Sequence, residues 1–272
     1  DANITSFYTP ATWGYNMFFY LAASNDCHPT YVSDLMKKKT LSVKQINELL
    51  GRLQGDKKLL YDKKYMEQLY LEYQENDIDD TLDVQALKEL FGSRKLLLLG
   101  TGDSVTEQEE LLKNFINENN PIVISMNYIP DNISPDMIFL SNSKKYVQIA
   151  SKLSRHQGEY KIIATSNVTK TSGEFDYTVR YKDVLDTEEN AIPDVAFAVL
   201  LKTMEKVGVK EVYLGGIDGF NETHNGIYLD DEEHCDYGIK HTDELNEYVN
   251  HMMQRMNKTI KLNLLTKSIY TL

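Results

Sequence analysis

The stretch Arg94-Lys95-Leu96-Leu97-Leu98-Leu99-Gly100-Thr101-Gly102-Asp103-Ser104-Val105 decides how the rest of the chain is read. Consecutive leucines without polar alternation predict a strand buried on both faces, as in a parallel sheet. The Gly-Thr-Gly turn and the acidic helical pattern after it set a helix start over the carboxyl end of that strand. Backbone N–H groups at such a turn point at whatever sits there, often a phosphate. The GxGxxG fingerprint is incomplete, because Val105 stands where the third glycine would be. A nucleotide-type cleft and a plain turn both remain open on these residues alone.

Upstream of Arg94 the pattern is helical. Trp13–Ala23 is apolar nearly all round and predicts a buried helix. Ser42 is a good N-cap for Val43–Leu53, where Val43, Ile46, Leu49, Leu50 and Leu53 recur at helical spacing. Asp62 is expected to cap Lys63–Gln74. Glu75–Asp80 reads as an acidic linker, and Asp83 as the cap of Val84–Phe91, closed by Gly92. Downstream the period alternates. Strands are predicted over Leu96–Leu99, Ile122–Met126, Met137–Leu140, Lys161–Thr165, Tyr177–Tyr181, Glu211–Leu214 and Lys261–Leu265. Helices are predicted over Thr106–Asn117, Lys144–Leu153, Asp194–Val207 and Thr242–Met256. The expected fold is α/β: a helical segment, 1–92, followed by a Rossmann-like, mostly parallel sheet with helices on both faces, 93–272.

Bulk properties narrow the function. The chain has 272 residues, enough for one large or two modest domains. Its net charge of −12 argues against a nucleic-acid partner, whose backbone needs a basic surface. A small phosphorylated ligand needs only local donors and stays open. The two cysteines, Cys27 and Cys235, lie far apart without metal or redox spacing, so a reducing cytoplasm is the expected setting. No apolar run approaches the roughly 20 residues that span a bilayer. The chain begins at Asp1 within a segment that reads as part of something larger, so a preceding N-terminal portion is expected.

In parallel sheets ligands sit at the carboxyl ends of the strands. Several predicted strands end in polar residues: Gly100, Gly102, Asp103 and Ser104 after the first, Asn127 after the second, Ser141 and Asn142 after the third, and Asp218 after the sixth. Together they form the candidate binding site. Basic residues are sparse there, with Lys144, Lys145 and Lys240 the nearest in sequence. The acidic run Asp230–Glu233 would repel an anionic ligand unless a divalent cation intervened. No metal site is predicted, and His28 reads as a structural histidine near a helix start.

Two resemblances add to this reading. The stretches Trp13-Gly14-Tyr15, Tyr20-Leu21, Cys27-His28-Pro29-Thr30-Tyr31-Val32 and Thr40-Leu41-Ser42-Val43, with the Tyr61–Tyr73 helix, resemble the region after the barrel in HMG-CoA-lyase-like aldolases such as 4-hydroxy-2-oxovalerate aldolase. The likeness covers residues 1–75. It implies an accessory C-terminal region whose metal-dependent TIM barrel lies in a missing N-terminal domain, the expected partner. The apolar helix Trp13–Leu21 exposes a large surface if that barrel is absent, so a homodimer is also expected. Residues 95–266 resemble bacterial sialyltransferase-type folds, most closely along Val207–Asp218, with the Gly100–Ser104 turn and the Asn127 strand end also matching. That likeness implies a cytidine nucleotide or nucleotide-sugar as ligand and a place in bacterial surface-polysaccharide synthesis. It places Tyr228 near phosphate and makes His241 or His234 the candidate general base. Departures stand at Thr101, where the family pattern favours asparagine, at Ile192-Pro193-Asp194, where it favours Thr-Ser-Gly, and at Phe220, where it favours tyrosine. An accessory module, an active glycosyltransferase and a non-catalytic oligomerisation domain are the three expectations.

Overall fold

The computed structural model describes residues 78–141, 145–146, 149, 152–153, 158–168, 175–188, 191–192, 195–221 and 242–272. The elements predicted upstream of residue 78 lie outside the described residues. A helix α1, Thr81–Phe91, leads into strand β1, Leu96–Leu99. Then come α2 (Ser104–Glu107), α3 (Glu109–Asn119), β2 (Ile122–Met126), β3 (Met137–Leu140), β4 (Lys161–Thr165) and β5 (Tyr177–Val179). A short 3-10 turn, Tyr181–Val184, precedes α4 (Ala196–Val207), β6 (Glu211–Gly215), α5 (Thr242–Met256) and β7 (Lys261–Leu264). Between β3 and β4, Lys145, Tyr146, Ile149, Lys152 and Leu153 are helical.

The seven strands form one sheet in the order β5-β4-β3-β2-β1-β6-β7, and every pairing is parallel. The expected α/β, Rossmann-like architecture is therefore the observed one. All four leucines of β1 are buried. Leu96 and Leu98 face a core built with Leu87, Phe91, Leu201, Met204, Val249 and Met253 of α1, α4 and α5. Leu97 and Leu99 face the opposite layer, with Leu112, Val105 and Tyr128. Each such buried side chain stabilises the fold by about 1.5–3 kcal/mol, which is why the unbroken leucine run specifies a central strand. The strands run outward from β1 through β5 with helices on one face. They then return to the other side of β1 as β6 and β7, with α4 and α5 on the opposite face. Right-handed crossovers require that change of face when the strand order reverses.

Local differences from the sequence pattern have local causes. The helix expected over Thr106–Asn117 is broken at Gln108, whose φ of −118° interrupts the turn between α2 and α3. The strand expected to reach Tyr181 ends at Val179 and gives way to the 3-10 turn. α1 starts at Thr81, so Asp83 sits inside its first turn rather than at its cap. Asp79 instead accepts the Thr81 N–H, at 3.0 Å. α1 was expected to close the N-terminal segment, yet it packs Leu87 and Phe91 into the same core as the sheet.

Candidate functional site

The carboxyl ends of β1 and β6 meet where the strand order reverses. The turns that follow them are packed backbone to backbone. Gly100 N–H donates to Gly215 O at 2.8 Å, and Gly102 N–H to Gly216 O at 2.9 Å. A Cβ on Gly100 would lie 2.4 Å from the Gly216 carbonyl oxygen, so a side chain there is excluded by backbone. A Cβ on Gly216, at φ +72°, would lie 2.4 Å from Val105 Cγ2 and 2.6 Å from the Gly100 carbonyl oxygen.

Asp218, at the end of the β6 turn, reaches across to the start of α2. Its Oδ2 accepts the Ser104 N–H at 2.8 Å, and its Oδ1 accepts the Ser104 hydroxyl. Ser104 Oγ also lies 2.8 Å from Thr266 Oγ1, which accepts the Gly216 N–H at 3.0 Å. An ionised carboxylate only accepts, so the single Ser104 hydroxyl proton goes to Asp218 and the Thr266 hydroxyl donates to Ser104. The Asp218 carboxyl group lies against Gly102, where a Cβ would be 2.4 Å from Asp218 Cγ. Lys267 pairs with Glu107. That hydrogen bond first, then the charges of Glu107, Asp218 and Asp103, raises the lysine above its ordinary pKa.

A second polar group lies at the ends of β2, β3 and β4. Asn127 holds a left-handed backbone, φ 61°, which asparagine tolerates better than most residues. Its Oδ1 accepts the Ser141 N–H at 3.1 Å, and its Nδ2 lies 3.3 Å from Ser141 Oγ. Asn167 Nδ2 donates to Ser141 O at 3.0 Å, and the Thr165 hydroxyl donates to Asn167 Oδ1. Ser166 Oγ accepts the Tyr181 N–H at 3.0 Å. Tyr128 links the two groups, its hydroxyl donating to Gly100 O at 2.6 Å.

Of the residues expected to bind a ligand, Gly100, Gly102, Asp103, Ser104 and Asp218 come together at the β1–β6 mouth. Asn127 and Ser141 lie further along the same edge. Asn142, Tyr228, His234 and His241 lie outside the described residues, as do Lys144, Lys240 and the Asp230–Glu233 run. Thr165, the last residue of β4, and Ser166, Asn167 and Thr266, which follow β4 and β7, were not among the expected site residues. The rule that selected Asn127 applies to them without change. Tyr128 carried no such signal, because a tyrosine beside a strand end usually reads as core. Among the described residues no group of three or more His, Cys, Asp or Glu is placed to hold a metal ion. No helix among the described residues is long and apolar enough to cross a membrane. Compared with protein-family models and with curated proteins, the chain matches none.

Proposed function

We propose that the α/β unit binds a nucleotide or nucleotide-sugar at the carboxyl edge of its sheet, within the accessory C-terminal region of an aldolase-type protein. One observation carries the binding reading: polar residues from four strand ends, Gly100–Ser104, Asn127, Ser141 and Asp218, share the edge where the strand order reverses. Open parallel sheets bind their ligands at that position. The aldolase association rests on the resemblance carried by residues 1–75, which implies a TIM barrel as partner. Cytidine nucleotides are the first candidates, because the sialyltransferase-type resemblance implies a CMP-activated sugar.

A thermal-shift titration of the chain against CMP, CDP, UDP, NAD and sugar nucleotides tests this reading. A saturable rise in melting temperature with the cytidine compounds is the expected outcome. At hundredfold excess over Kd the stabilisation is about 2.7 kcal/mol. Absence of a shift with every nucleotide would overturn the reading and favour an oligomerisation role. Turnover of a CMP-sugar that disappears in His241→Ala would replace the accessory reading with a glycosyltransferase.

A further inference from the structure

The glycine turn after β1 has the sequence of a phosphate cradle but not the electrostatics of one. The N–H and the hydroxyl of Ser104, the groups a phosphate would meet there, both donate to Asp218. The space left by the missing Gly102 side chain is taken by the same carboxyl group. Lys267, whose charge interacts with Asp103 and Asp218, is paired with Glu107. A phosphate entering here would displace a carboxylate from its donors or lie beside it, and like charges at that range repel.

Asp218 nevertheless retains accepting capacity. A carboxylate offers about four lone-pair directions, and the hydrogen bonds from Ser104 use one on each oxygen. Asp218 is half-buried. Next to Gly102 in the chain, the Thr101 N–H and hydroxyl have no hydrogen-bond partner among the described residues. Accepting capacity on the carboxylate packed against Gly102, with donors on the residue before that glycine, matches a group that both gives and takes a proton. A sugar hydroxyl does so, and a phosphate does not.

We propose that Asp218 and Thr101 receive the hydroxyls of a ribose, and that the phosphates of a bound nucleotide lie away from the glycine turn. The assignment rests on the nucleotide reading above and fixes which end of the ligand enters the β1–β6 mouth. The phosphate-cradle role that the sequence suggests for Gly100–Ser104 then belongs to Asp218, as an internal anion.

Calorimetric titration of the full chain in EDTA tests the assignment. The probes are the four common ribonucleosides, their 2′-deoxy counterparts and their 5′-monophosphates. At least one ribonucleoside is expected to bind, with its deoxy form weaker by about tenfold or more, as for loss of a hydrogen bond to a charged group. The matching monophosphate is expected to bind within about threefold of the nucleoside, a gap of less than about 1 kcal/mol. Asp218→Asn is expected to narrow the ribose-to-deoxyribose difference, and the wild-type comparison stands by itself if that variant does not fold. A monophosphate tighter than its nucleoside by tenfold, equal binding of ribose and deoxyribose forms, or binding that needs Mg²⁺ would overturn the assignment while leaving nucleotide binding intact. No binding by any nucleoside or nucleotide, with or without Mg²⁺, would overturn both.

Discussion

Asp186 shows how a single buried carboxylate is kept charged. It follows the 3-10 turn after β5 and is 5% exposed. Its Oδ2 accepts the Tyr248 hydroxyl at 2.9 Å and Arg255 Nη2 at 2.5 Å, both from α5. Burial pushes its pKa up, but the hydrogen bonds from Arg255 and Tyr248 and the guanidinium charge outweigh that, leaving it below the usual carboxylate value. Burial first, and then the Asp186 charge, drives the Tyr248 hydroxyl far up. A carboxylate whose pKa is lower in the folded state stabilises the fold above its unfolded pKa of about 3.9. That contribution is lost as pH falls through the lower, folded value. Asp186→Asn is therefore expected to cost about 2–3 kcal/mol at pH 7 in urea denaturation. The gap between variant and wild type should narrow below about pH 4. A gap that is constant from neutral to strongly acid pH would show that the charge contributes nothing. Nothing in the sequence around Asp186 marks it, because its partners lie 62 and 69 residues away.

At the scale of elements, α1 closes one edge of the sheet. An edge strand presents backbone N–H groups that invite another chain. On β5 the Thr178 N–H is taken by Asp83 Oδ2 at 2.8 Å, and the Arg180 N–H that follows is taken by Asp80 Oδ2 at 2.7 Å. Lys206 of α4 pairs with Asp80 at 2.6 Å and with Asp183 at 2.7 Å, drawing α4 into the same junction. The sequence pattern assigns Asp83 to a helix cap and Asp80 to a linker. Both are acidic residues near a helix start, so the local reading is reasonable, but the donors they satisfy belong to a distant strand. Asp83→Ala is expected to raise hydrogen exchange at the Thr178 amide and to cost about 1 kcal/mol, the loss of a hydrogen bond at a partly buried donor. Unchanged protection of that amide would mean that the carboxylate does not guard the edge.

At the scale of the whole molecule, the last residues hold the carboxyl edge together. Leu265 N–H continues the β6–β7 pairing onto Leu214 O at 2.9 Å. Thr266 bonds the β1 and β6 turns, and Lys267 N–H donates to Gln108 Oε1 at 2.7 Å, between α2 and α3. The Ser268 hydroxyl donates to Ile217 O at 2.6 Å, and Ile269 N–H donates to Asp218 O at 3.0 Å. Tyr270 and Thr271 then bond Asn246 and Asn250 of α5. Truncation after Leu265 is expected to raise hydrogen exchange at the Ser104 and Gly216 amides beyond the rise at Thr178, which lies on the far edge. Equal rises at all three would mean that the tail supports global stability alone.

The sequence by itself determined the layered parallel architecture, because unbroken apolar runs such as Leu96–Leu99 are stable only when covered on both faces. It also determined helix ends at Gly92 and Gly208, whose positive φ values suit a residue without a Cβ. Only the tertiary structure decided what the polar residues at the strand ends touch. Asp218 meets Ser104 across 114 residues of chain, and Thr266 meets it across 162. Local periodicity records which face a residue presents. It carries no record of a partner brought alongside by a change of strand order, so the same Gly-Thr-Gly-Asp-Ser turn suits an incoming phosphate or a carboxylate of its own chain.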